Sequence, residues 1–258
     1  MHIVQDTKSA RHARMPVTNL RIENNVEQTM LFDAGTSGPI NCTVGENATL
    51  NVIHMISENH EDQIVTEYRS DVKKNGTINF WHILFSGKSN EFKTETFLNG
   101  EGARTNHVTI FLGSNCDLFS LSVSNIHNAP NTFSRMESKG IVNDKARVKY
   151  DGLVEMTKLA SGADGALIQK ALMLSPTSVV EAVPALEIGT NDVRASHSAA
   201  VTQVDQEQLF YAAARGISKR AAILMIADGF LRPTIDSIPN DGIRQKLFNM
   251  IPDMLGTN

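Results

Sequence analysis

From about Ile40 to Ile188 the chain alternates apolar and polar residues in short runs, and few architectures accept that pattern over such a length. Examples are Thr49-Leu-Asn-Val-Ile-His54, His107-Val-Thr-Ile-Phe111, Leu118-Phe-Ser-Leu-Ser-Val123 and Ala146-Arg-Val-Lys-Tyr150. Side chains on a strand point to opposite faces in turn, so a period of two rich in Val, Ile, Phe and Thr predicts half-buried strands. The breaks carry residues that tolerate positive φ: Gly45-Glu-Asn47, Asn75-Gly76, Gly100-Glu-Gly102, Gly113-Ser-Asn115, Asn143-Asp144. Many short strands between turns fit a sandwich, a barrel or a β-solenoid, and the pattern alone leaves the three open.

After His197 the texture changes. Asp205 is placed to cap a helix, with Gln208 where a capping box would need it, and Leu209, Phe210, Ala213 and Ala214 follow at helical spacing up to Gly216. Ser218 caps a second helix whose end Gly229 and Pro233 predict, and a third runs from about Asp241 to Leu255 with Pro252 kinking or ending it. The organisation expected is a β body over 1–204, including a short N-terminal extension, and a helical segment over 205–258.

Charge narrows the partners. With 24 Lys+Arg against 28 Asp+Glu and a net charge of -4, there is no basic surplus or stripe to neutralise phosphates, so no nucleic-acid partner is expected. No apolar run is long enough to span a bilayer, so no membrane partner is expected either. The opening residues MHIVQDTKSARHARMP hold no apolar core of leader length, and the cysteines number only two, Cys42 and Cys116. Both features predict a cytoplasmic chain with reduced thiols.

The segment ASHSAAVTQVDQEQLFYAAARGIS (Ala195–Ser218), the Gly229-Phe230 pair, SKGIVNDKARVKYDGLVEM (Ser138–Met156) and QKALMLSPTSVVEAVPALEI (Gln169–Ile188) carry a resemblance to the SufB/SufD family. It is strong over about Thr132–Phe230 and faint before that. The resemblance implies a mainly β fold, a right-handed parallel β-helix with a C-terminal α-helical tail that docks on the ABC-type ATPase SufC. It also implies pairing through the last strands, here as a homodimer, and a transient iron–sulfur cluster, with ATP used only by the partner. The departures from the family are specific. Ser178 and Ala195 stand where family members place cysteines, and Ser196 and Ser198 replace the acidic residues that flank a histidine in SufB-type members. His197 is what remains of that set.

Three residues are candidates for holding the cluster or its iron. His197 matches the family motif at the residue itself, and imidazole replaces thiolate in some iron–sulfur centres. Cys116, at a turn entering a strand, is the remaining thiolate candidate, although a free cysteine is commonly a small buried hydrophobe. That bland role is the better one for Cys42, which alternates with Ile40 and Val44. Glu187 is a hard oxygen donor at a family-typical position, and a solvated strand charge is its commoner fate. His54, His60, His82, His107 and His127 lack zinc-ligand spacing, and His54 and His82 are expected to be structural. For docking on the ATPase the tail offers Phe210, Tyr211, Arg215 and Phe230 as exposed candidates, the alternative for Phe210 and Phe230 being that they pack against the β body.

Gly87-Lys88-Ser89 has the end of a phosphate-binding loop without its beginning, because position 82 is a histidine where a glycine is required. No catalytic residues are therefore assigned, and the chain is expected to be a scaffold and not an enzyme. Two alternatives differ in class. One is a cluster-free, SufD-like structural partner of a cysteine-bearing paralogue, which the missing cysteines favour. The other is a carbohydrate-active β-helix, which one Trp, three Tyr and no evident acidic pair disfavour.

Overall fold

The computed structural model describes residues 17–33, 37–56, 64–85 and 89–254. His60, the Gly87-Lys88 pair and Leu255 lie outside them, as does the opening segment. The chain begins with β1 (Thr18–Ile22), β2 (Glu27–Asp33), β3 (Gly38–Val44), β4 (Thr49–Ile56) and β5 (Ile64–Val72). It continues through β6 (Thr77–Phe85), β7 (Asn90–Leu98), β8 (Arg104–Gly113), β9 (Leu118–His127) and β10 (Phe133–Val142). The last strands are β11 (Arg147–Met156), β12 (Ala163–Met173), β13 (Val179–Ile188) and β14 (Val193–Gln203). Three helices follow, α1 (Gln206–Ala214), α2 (Lys219–Ile235) and α3 (Asp241–Met254).

Odd-numbered strands form one seven-stranded sheet and even-numbered strands the other, with every strand pairing in parallel with the strand two places on. This is a β-solenoid, each coil laying one strand in each sheet, as the resemblance implied. The strands begin at Thr18 rather than near Ile40, because Leu20, Ile22, Met30 and Phe32 already supply inward apolar side chains.

Alternation does what the sequence predicted: in β9 every second residue is buried, Phe119, Leu121, Val123, Asn125 and His127. One line of corners places Asn25, Asn47, Asn75 and Asn131 at positive φ, with Gly102 and Gly162 at the equivalent turns. The amide of Asn75 donates to Asn47 at 3.2 Å and that of Asn47 to Asn25 at 3.3 Å, so successive corners are tied by a side-chain ladder. Asparagine is suited twice over, tolerating the left-handed backbone and offering both donor and acceptor.

Two cores result. The first fills the solenoid between its sheets. The second lies on the outer face of the even sheet, where Ile53, Met55, Ile83, Phe85, Ile110 and Leu112 meet Leu231, Ile235, Ile243, Leu247 and Ile251 of α2 and α3. This second core explains a departure from expectation at α2. The helix runs on through Gly229 and Pro233 to Ile235 instead of ending there. Pro233 falls in the last turn, where little of the helix lies beyond it. Leu231, Thr234 and Ile235 are buried against the sheet, and their burial holds that turn in place.

Packing inside the coils is tight enough to dictate residue size. A Cβ on Gly140 would fall 2.1 Å from the ring of Phe111, which is buried on the neighbouring β8. Gly140→Ala is expected to cost about 1–3 kcal/mol through overpacking, read as a lower urea midpoint with an unchanged slope. An unchanged midpoint would mean that Phe111 finds another rotamer freely.

Candidate functional site

The last coil, β13 with β14, is unlike those before it. Interior coils are covered on both sides along the stack, whereas most of β14 is exposed. Register identifies which of its side chains face inward. His197 pairs with Leu167, Ala195 with Gly165, Ala199 with Gln169 and Val201 with Ala171, all four partners being buried. His197 therefore sits on the inner side of the even sheet, at the open end of the solenoid, and is exposed only because no further coil follows it. On β13 the inward positions are Val180, Ala182, Pro184, Leu186 and Ile188, set by pairing with Val148, Tyr150, Gly152, Val154 and Met156. The open end is thus a floor of small and apolar side chains with one imidazole. At its edge Arg194 and Arg135 both reach Asp164, at 3.1 and 2.7 Å, tying β14 to β12 and β10 on the outer face. The two guanidinium groups hold the Asp164 carboxyl below its ordinary pKa, the Arg135 hydrogen bond contributing most.

The other two candidate ligands lie elsewhere. Glu187 pairs with Glu155 on the outer, solvent side of the odd sheet, so it points away from the floor that holds His197. Cys116 is exposed at the corner between β8 and β9. That is three coils back from β14, or about 14 Å at the usual spacing between strands. The chain does not bring His197, Cys116 and Glu187 together, and no cluster of three or more potential metal ligands occurs among the described residues. Cys42 is buried as expected, and burial pushes its thiol up to about 12, so it is not a thiolate at neutral pH. Ser178 is buried, its hydroxyl donating to the Ser175 carbonyl at 2.7 Å to close the turn before β13.

The docking candidates divide. α1 buries Leu209 and leaves Phe210 78% and Tyr211 58% exposed, with the Arg215 guanidinium 4.3 Å from the Tyr211 ring centroid. Phe230 is instead half-buried in the second core, under Lys139 at 5.0 Å, so of its two readings the structure has it packed on the β body and not exposed. The apolar face of α2 has to cover the even sheet, and Phe230 belongs to that face.

Burial brings together a group that no sequence spacing announced. His54, His82 and His107 lie inside the first core among Phe32, Tyr68, Phe80 and Phe92. His54 Nδ1 is 2.8 Å from the Tyr68 hydroxyl, and His107 Nε2 is 3.1 Å from His82 Nδ1. Burial drives His54 and His107 down to about 3 and His82 well below its ordinary value, His107 and His54 adding to the effect at His82. The signal available was the recurrence of histidine at inward positions, which becomes readable only once the coils are in register.

The fold and its open end define a parallel β-solenoid with a helical tail laid on one face. The family model of the SufBD core domain of the SUF system for FeS cluster assembly matches residues 6–230, and the chain belongs to that family. Similar proteins include an iron–sulfur cluster assembly SufBD family protein of Staphylococcus saprophyticus, 32% identical over 181 residues. That match covers 70% of this chain and 39% of the relative. The iron–sulfur cluster assembly protein SufD of Escherichia coli is 28% identical over 227 residues, 85% of this chain and 52% of the relative. The chain therefore spans about 39% to 52% of the length of these curated relatives. Among the described residues no helix is long and apolar enough to cross a membrane.

Proposed function

We propose that the chain is a scaffold subunit in iron–sulfur cluster assembly that pairs through its last coil with a second solenoid and works with a SufC-type ABC ATPase bound at the tail. The nascent cluster is its cargo, and ATP is used by the partner alone. The observation that carries this reading is the open end itself, a bare apolar floor with His197 at an inward position and unpaired strand edges on β13 and β14. Exposed edges of this kind invite pairing with another chain. Two copies meeting there would bring two His197 side chains to one shared site. Phe210, Tyr211 and Arg215 on weakly buried α1 supply aromatic and cationic groups of the sort enriched where proteins dock.

A second reading is a cluster-free, SufD-like partner of a cysteine-bearing paralogue. It draws support from Ser178 and Ala195 at the family's cysteine positions and from the separation of Cys116 from the open end. Anaerobic co-purification with a SufC-type ATPase, followed by iron and sulfide analysis of wild type and His197→Ala, separates the two. The scaffold reading expects a stable complex in both forms, with iron and sulfide at least severalfold lower in the variant. A stable complex without iron in either form supports the structural partner, and failure to form any complex overturns the ATPase assignment.

A further inference from the structure

The interior of the solenoid is polar along one line. On the even sheet, register stacks His54, His82, Thr109, Ser138 and Gln169 in one inward column, ending beneath Ala199. Facing it on the odd sheet is the column Ile40, Tyr68, Thr94, Val123 and Gly152, as the His54–Tyr68 and Tyr68–His82 contacts and the approach of Gly152 to Gln169 show, and beside that column lies Cys42, Ser70, Thr96 and Asn125. These residues are buried, yet many of their polar atoms find no hydrogen-bond partner among the described residues. They are His54 Nε2, His82 Nε2, the hydroxyls of Thr94, Thr96 and Thr109, both amide atoms of Asn125, and Gln169 Oε1. Thr109 acts on the Tyr150 phenol across the interior, lowering its pKa against the larger effect of burial, but the two hydroxyls lack the geometry of a direct hydrogen bond.

Magnitude decides what this means. Each buried polar group left unsatisfied costs a sizeable fraction of a domain's whole net stability. A set this large cannot all be unsatisfied in a folded protein. The only partner small enough to reach side chains walled in by both sheets is water, which typically makes about three hydrogen bonds to such groups when buried.

We infer that the solenoid binds a file of water molecules along its axis, held among His54, His82, Thr109 and Gln169 of the even sheet and Thr94, Thr96 and Asn125 of the odd sheet. The file is a binding site for water and stands whether or not the chain carries a cluster.

Asn125 is the most sensitive reporter, because both of its amide atoms are unpartnered. A high-resolution crystal structure of the full chain is expected to have ordered solvent density within hydrogen-bond distance of Asn125, Thr96 and Gln169. Density showing these side chains bonded directly to one another or to backbone, with no solvent between, overturns the proposal. Urea unfolding of Asn125→Leu gives an independent reading. Bound water predicts a midpoint that falls or stays the same, since a satisfied amide is lost. A dry interior predicts a higher midpoint, because an unsatisfied amide has been replaced by an apolar group of similar size.

Discussion

At about pH 5 the protein is expected to unfold at a much lower urea concentration than at about pH 7.5, because its buried histidines stay neutral when folded. His54 and His107 are driven down to about 3 and His127 to about 4, each mainly by burial, against an ordinary value of 6.5. At His127 the Asp164 carboxylate opposes the shift without cancelling it. The sign follows from proton counting. Below the ordinary value the unfolded chain takes up protons that the folded chain refuses. The stability is therefore complete above about pH 6.5 and is lost progressively as the pH falls toward 3–4. Each histidine forfeits about 1.4 kcal/mol per pH unit, so at about pH 5 the cost is about 2 kcal/mol each and about 6 kcal/mol for three. His82 adds to this in the same direction. The total rivals the net stability of an ordinary domain. The measurement is the urea midpoint across that pH range, together with proton uptake on unfolding of about three to four per chain at about pH 5. A midpoint independent of pH would mean that the histidines are already charged in the folded protein.

The second large effect is on pairing. Val201 is 41% exposed and occupies an inward position on the last strand, so Val201→Asp is expected to leave the single chain folded. In a pair joined at the open end that carboxylate would be buried without a partner. Desolvating an unpaired charge costs several kcal/mol, so association should weaken by at least about 100-fold, equivalent to about 3 kcal/mol. Sedimentation velocity of wild type and variant over a concentration series reads this directly. Equal association of the two would move the interface away from the last coil.

Much of the body was legible because a strand's pleat writes itself into sequence. The Phe119, Leu121, Val123 alternation and the Asn and Gly corners identify strands and turns without reference to any neighbour. What they do not specify is which strand lies beside which. Stacked asparagines stand 22, 28 and 29 residues apart at different corners, so no fixed repeat announces the coils. The same irregularity hid the interior columns, since His54, His82 and Thr109 become neighbours only through register. Resemblance located His197, and register then placed it on the inner side of the open end. Phe230 stayed open between docking and packing because helical spacing identifies an apolar face but not the surface that covers it. Here the even sheet does so.

The stack also has a direction of weakness. Each coil touches only its neighbours, so cohesion along the solenoid is close to a sum of nearest-neighbour contacts, and loss of order starts most easily at an end. β14 is such an end, and the chain passes straight from it into α1, while α2 and α3 are fastened farther back, against β8 and β10. A force applied through α1 thus reaches the coil with a neighbour on one side only. A joint supported on one side therefore lies next to His197, while the helix-backed middle of the even sheet is held by neighbours on both sides and by α2 and α3 across its outer face.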